Sequence, residues 1–200
     1  MQERYRRLYD RTQVRQRIGQ LASEITAHYP SKAELDRPLF VGLLRGAMPF
    51  ASMLMLEMQR QAPEFHPELD VMMVSTYGDG HHAGEPRIVT DLARTTSVFG
   101  RPVVLLDDVL DQGITAHFVM NHLDKLNPGS IELAVLAKKA VRRVHDITPN
   151  YYGFDVGNRW VVGMGMDDAQ HGKEHYRWLD EIWEIAEDDE PPLKAEIYSS

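Results

Sequence analysis

Four short apolar runs punctuate this chain: Leu39–Leu44, Val71–Ser75, Val103–Leu106 and Ile131–Ala137. Each is too short to be a helix on its own and lacks the polar alternation of a half-exposed strand. Such runs are strands buried on both faces. Segments of helical periodicity lie between them, for example Met48 to Met58 and Ala116 to Leu126. Strand alternating with helix predicts an α/β fold, with a mostly parallel twisted sheet and helices on both faces. Residues 1–30 carry Val14, Ile18, Leu21 and Ile25 at helical spacing. The terminal segments are more irregular and are expected to form a small hood over the strand ends. The core is then about 37–150, the hood about 1–36 and 151–186, and residues 187–200 an acidic mobile tail. The whole of 1–186 is expected to form one domain.

Open α/β sheets bind ligands at the carboxyl ends of their strands. At the end of the third run stand Asp107, Asp108 and Asp111, then Gly113 and Thr115, then a helix. A helix start after a Gly turn offers free N–H groups to an anion. One Asp there would be a helix cap. Three Asp within five residues exceed what capping needs, and they repel unless a cation or a polyhydroxyl ligand compensates them. A Walker-type loop is excluded, because no Gly-Lys-Ser/Thr follows at the required spacing.

Other strand ends carry candidates too. Arg45-Gly46 follows the first run, where Arg can meet an anion and Gly allows close backbone approach. The alternative is a surface Arg and a helix-starting Gly. The Lys138-Lys139 pair ends the fourth run; one residue of register decides which points inward. Trp160 is either core or a platform for a flat ring. Asp167 and Asp168 lie just past a strand, where a carboxylate can hold a hard cation. Three glycines make 76–86 a lid-like loop, and Arg87 to Asp91 returns as a strand. His81 and His82 suggest a metal site only weakly, since neighbouring side chains on such a loop seldom converge.

The net charge of -8 argues against general binding to nucleic acid or an anionic membrane. The N-terminal arginines, Arg4 to Arg17, are expected on a solvated helix face, a nucleic-acid patch being the alternative. With no cysteine there is neither a disulfide nor a thiolate site. No run reaches a membrane span, and the start lacks a signal-peptide core. A soluble cytoplasmic protein is expected. The helix bearing Met48, Met53, Met55 and Met58 suits the core or a subunit face.

The stretch Leu105-Leu-Asp-Asp-Val-Leu-Asp-Gln-Gly-Ile-Thr115 resembles the phosphoribosyl diphosphate signature of type I phosphoribosyltransferases, except that Gln112 stands where Thr is usual. Val41-Gly-Leu-Leu-Arg-Gly46, Val74-Ser-Thr-Tyr-Gly78, Lys139 and Trp160-Val-Val-Gly-Met-Gly-Met-Asp167 extend the likeness. From about residue 10 to residue 178 the order is similar to the hypoxanthine–guanine phosphoribosyltransferases, bacterial branch.

That resemblance implies a purine salvage enzyme. It would transfer the phosphoribosyl group of phosphoribosyl diphosphate to hypoxanthine or guanine, giving IMP or GMP and pyrophosphate. It implies Mg2+ and a homodimer or homotetramer, with no nucleic-acid or membrane partner. Leu44, Arg45 and Gly46 would contact pyrophosphate, joined by Arg177, although extra residues separate Asp167 from Arg177. Thr76 and Tyr77 would belong to the lid. Asp107 and Asp108 would flank the ribose hydroxyls and the metal, and Asp111 would accept the purine N7 proton. Asp111, Gln112, Gly113, Ile114 and Thr115 would cradle the 5′-phosphate. Lys139 would donate to the purine 6-oxo group, Trp160 would stack on the base, and Val161 would meet its edge. Asp167 would be a magnesium ligand beside the purine. Alternatives kept open are a xanthine- or hypoxanthine-restricted enzyme, a nucleotide-sensing regulator that binds RNA, and a non-catalytic paralogue.

Overall fold

The computed structural model describes residues 4–29, 37–75, 86–168 and 174–186. In chain order the elements are β1 (Tyr5–Tyr9), α1 (Arg11–His28), β2 (Leu39–Leu44), α2 (Met48–Gln61), β3 (Glu68–Ser75) and β4 (Arg87–Thr90). There follow β5 (Pro102–Leu110), α3 (Ile114–Asp124), β6 (Ser130–Lys138), β7 (Tyr151–Asp155), β8 (Trp160–Val162) and β9 (Ile182–Ile185).

The four apolar runs are β2, β3, β5 and β6, the centre of a six-stranded sheet ordered β4-β3-β2-β5-β6-β7. All its pairings are parallel except β3 with β4. Alternate residues of β5 explain the uninterrupted apolar run. Val104 and Leu106 face α1 and α2 on one side, and Val103 and Leu105 face α3 on the other. All four are fully buried. The chain leaves β2 toward β3, then crosses back to lay β5 on the opposite side of β2. This reversal is the switch point at which open α/β sheets hold their ligands. It places Arg45-Gly46 and the three Asp residues side by side.

Helix α1 begins with a capping box between Asp10 and Gln13. Its apolar stripe, Val14, Ile18, Leu21, Ala22 and Ile25, is buried against the face shared with α2. The hood is therefore narrower than 1–36 and 151–186. Its strands are β1, β9 and β8, joined in an antiparallel three-stranded sheet. Helix α1 packs on the main sheet, and β7 is the edge strand of that sheet. Amphipathic spacing shows that a face is buried but not what buries it. Residues Ile182–Ile185 form a strand because β1 and β8 flank them on both sides.

Arg6 and Arg7 lie on β1 rather than on a helix face, and with Arg11 they pair with β9 and the turn before it. Arg6 meets Glu184 at 2.5 Å, Arg7 meets Glu181 at 3.3 Å, and Arg11 meets Asp180 at 2.6 Å. Arg17 bonds the carbonyls of Tyr152 and Gly153 at 2.7 and 3.0 Å. Among the described residues no helix is long and apolar enough to cross a membrane.

Candidate active site

Strand β5 runs on through the acidic residues to Leu110, four positions past the apolar run, because β6 continues to pair with it. Asp107 and Asp108 are thus held by strand geometry. The Asp108 N–H donates to Asp107 Oδ1 at 3.0 Å, and the Val109 N–H donates to Asp108 Oδ1 at 2.9 Å. Burial pushes the Asp107 carboxyl well above the usual carboxylate range, and the charge of Asp108 pushes it further. Burial raises Asp108 too, against the pull of its hydrogen bonds and of the Arg177 charge. Two crowded carboxylates in this state suit a site that receives positive charge.

The backbone then turns through Gly113, at φ 81°, into α3. A left-handed turn at that angle favours glycine. No side chain caps the first turn of α3. Its N–H groups therefore remain for an anion, with Thr115 among them. The helix starts two residues earlier than its periodicity implied, at Ile114. The Gln112 carbonyl accepts the Val144 N–H at 3.0 Å, which ties the turn to the loop after β6.

Register settles the lysine pair. Lys138 turns outward to Asp155, at 3.4 Å, and lies over the Tyr152 ring. Lys139 is buried. Its Nζ is 2.9 Å from Asp111 Oδ2 and 4.0 Å from the centre of the Trp160 ring. Trp160 is 50% exposed, so it is not a core residue and keeps ring surface open to a ligand. The adjacent Val161 is buried and anchors it.

On the diphosphate side, the Leu44–Arg45 peptide is cis, and Gly46 lies against the Asp108 carboxylate. The loop of Gly163 to Asp168 covers Gly46. Arg177 stands behind it, with Nη1 donating to the Gly165 carbonyl, Nη2 2.7 Å from Asp167 and Nε 2.6 Å from Glu174. Asp168 is buried and accepts the Tyr5 hydroxyl at 2.6 Å. Burial, with that bond next, pushes the Tyr5 phenol up to about 12.

The structure thus gathers Arg45, Gly46, Asp107, Asp108, Asp167 and Arg177 on one side, and Asp111, Lys139, Trp160 and Val161 on the other. Among the described residues no three or more acidic or imidazole groups converge as a metal cage. Thr76, Tyr77, His81 and His82 lie outside the described residues. Strand β4 does return along β3 as expected, with Ser75 opposite Arg87. Sequence reasoning missed Tyr5 and Glu174, whose roles rest on contacts across the fold. The excess of residues between Asp167 and Arg177 was the one signal pointing toward Glu174.

Residues 4–169 match the family model described as the phosphoribosyl transferase domain. The hypoxanthine-guanine phosphoribosyltransferase of Streptococcus agalactiae is 32% identical over 193 residues, covering 96% of this chain and 94% of that protein. The bifunctional protein TilS/HprT of Listeria innocua is 35% identical over 193 residues, and there the chain spans 26% of the relative's length. A crystal structure of a hypoxanthine phosphoribosyltransferase from Staphylococcus aureus superposes with a TM-score of 0.76 at 28% identity, covering 90% of each chain.

Proposed function

The chain belongs to the phosphoribosyl transferase family, and from that premise we propose that it transfers the phosphoribosyl group of phosphoribosyl diphosphate to hypoxanthine or guanine, releasing pyrophosphate. The observation that carries the base assignment is Lys139, held buried between Asp111 and the ring of Trp160. An ammonium at that place donates to a 6-oxo group but meets another donor in adenine. A buried polar mismatch of that kind discriminates strongly.

The C1–pyrophosphate bond breaks as the purine nitrogen bonds to C1, and the base must lose a proton. Asp111 is the acceptor, placed beside the lysine that orients the base. Asp107 and Asp108 favour the positive charge that develops on the sugar. The first turn of α3 receives the 5′-phosphate, and Leu44, Arg45, Gly46 and Arg177 border the diphosphate. Thr76 and Tyr77 fall to the lid that excludes water.

Magnesium fits the donor set. Asp107, Asp108 and Asp167 offer hard oxygen atoms, and such an ion is held by one or two carboxylates plus substrate phosphates rather than by a protein cage. Bound there, it would neutralise the departing diphosphate. Self-association belongs to the proposal, through α2, where Met48 and Leu56 are exposed; sedimentation at assay concentration reads it. A cytoplasmic location belongs to it as well, and cell fractionation reads that.

The test is steady-state turnover with phosphoribosyl diphosphate, Mg2+ and each of hypoxanthine, guanine, xanthine and adenine. Turnover of the first two with adenine at background is expected. A rate on xanthine alone would support the restricted enzyme, and no turnover of any base would overturn the proposal.

A further inference from the structure

One carboxylate spans two arginines at the diphosphate side of the site. Glu174 Oε1 is 2.9 Å from Arg45 Nη2, and its Oε2 is 2.6 Å from Arg177 Nε. The two cations come from separate parts of the fold, the loop after β2 and the turn before β9. Glu174 has φ 65°, a left-handed backbone that L side chains adopt only at some cost. It belongs to the stretch that makes the Asp167-to-Arg177 interval longer than the pattern the chain otherwise follows.

We infer that Glu174 sets the affinity of this site for diphosphate, by occupying the two arginines that the ligand would otherwise meet. The inference rests on the proposed phosphoribosyl transfer. Charge explains it. Arg45 and Arg177 are matched by Glu174 and Asp167, so these four side chains sum to no net charge before any ligand arrives. Arg177 has contacts at all three nitrogens: Glu174, the Gly165 carbonyl and Asp167. Its side chain is 10% exposed and stays anchored, whereas the Arg45 side chain is 61% exposed and free to turn. A diphosphate therefore enters by displacing Glu174 from Arg45 first. Once Glu174 has left both arginines, the three remaining side chains carry one net positive charge. A single 5′-phosphate at the first turn of α3, where neither arginine nor Glu174 is among the cradle residues, does not meet this competition. Glu174 thus lowers affinity for the diphosphate-bearing substrate and the pyrophosphate product without touching the nucleotide's phosphate.

The test is calorimetric titration of the full chain, with Mg2+, by inorganic pyrophosphate and separately by IMP. Glu174→Gln keeps the size and one acceptor oxygen but removes the charge. An exposed ion pair of this kind corresponds to about a two- to fivefold change in binding. Glu174→Gln is expected to tighten pyrophosphate by about that factor and to leave IMP unchanged. Glu174→Asp retains the charge and should stay within about twofold of the wild type for both ligands. Equal or weaker pyrophosphate binding by Glu174→Gln would overturn the inference, as would a parallel shift for IMP or equal tightening by both substitutions. A wild-type chain that binds neither ligand and turns over no base would instead overturn the transferase reading and this inference with it.

Discussion

Gly165 lies so close to the carbonyl oxygen of Gly46 that a Cβ at Gly165 would overlap it. Its φ of 109° is one that other residues rarely adopt. A Cβ at Gly46 would in turn overlap the Asp108 carboxylate. Two loops of the site and strand β5 therefore meet, with no side chain between the two loops. Gly165→Ala adds backbone strain of about 1–3 kcal/mol. Thermal denaturation should show a loss of about 2–4 °C for each kcal/mol. Because the same atom pushes the loop after β2, the efficiency with phosphoribosyl diphosphate should fall by more than the melting temperature accounts for. Wild-type kinetics in a folded variant would show that the contact is only structural.

Asp111→Asn keeps an oxygen for Lys139 but removes the base. Turnover should fall by about 10²–10⁴-fold, the usual range for a positioned general base. Substrate binding should change far less. Steady-state kinetics with hypoxanthine measure both, and near-normal turnover would remove Asp111 from proton transfer.

Burial and the Asp108 charge raise Asp107, so the folded chain holds a proton that the unfolded chain has released. Stability is then greatest below the unfolded value, about 3.9, and declines as pH rises toward the raised folded value. Asp107→Asn removes that penalty. Its melting temperature should exceed that of the wild type at pH 7 and converge with it near pH 4, while activity is lost. Charging the pair with magnesium and substrate should also release protons. Binding enthalpies measured in buffers of different ionisation heat would register them. A buffer-independent enthalpy would contradict the raised Asp107 carboxyl.

Gln112 departs from the signature at a position whose carbonyl is tied to Val144. The backbone of the turn is thus fixed whatever the side chain. Gln112→Thr should therefore leave turnover intact and lower the Michaelis constant for phosphoribosyl diphosphate. An unchanged constant would make Gln112 a neutral replacement.

The parallel sheet was legible because its strands β2, β5 and β6 are buried on both faces, which leaves apolar runs with no competing pattern; β3 is half-exposed save for Met72. The acidic signature was legible because its spacing is long. Boundaries there were less so: β5 reaches Leu110 because β6 pairs beneath two carboxylates, which no local preference announces. Helix α1 showed its buried stripe but not its partner, and the hood was drawn too widely as a result. Lys138 and Lys139 could not be told apart without register, which the structure supplies through Asp111 and Asp155. Glu174 was marked only by the extra residues before Arg177, since its contact with Arg45 joins residues that only the folded chain brings together.

The sheet of β1, β9 and β8 has a consequence in time. Strand β1 precedes the whole parallel sheet in sequence, yet its partner is β9, and the Tyr5 hydroxyl closes on Asp168 across 163 positions. On a growing chain β1 emerges first and waits. The phosphate turn of α3 and the acid pair lie wholly within the chain that precedes β8 and β9. Trp160, on β8, thus depends on a sheet that is complete only once β9 has been made.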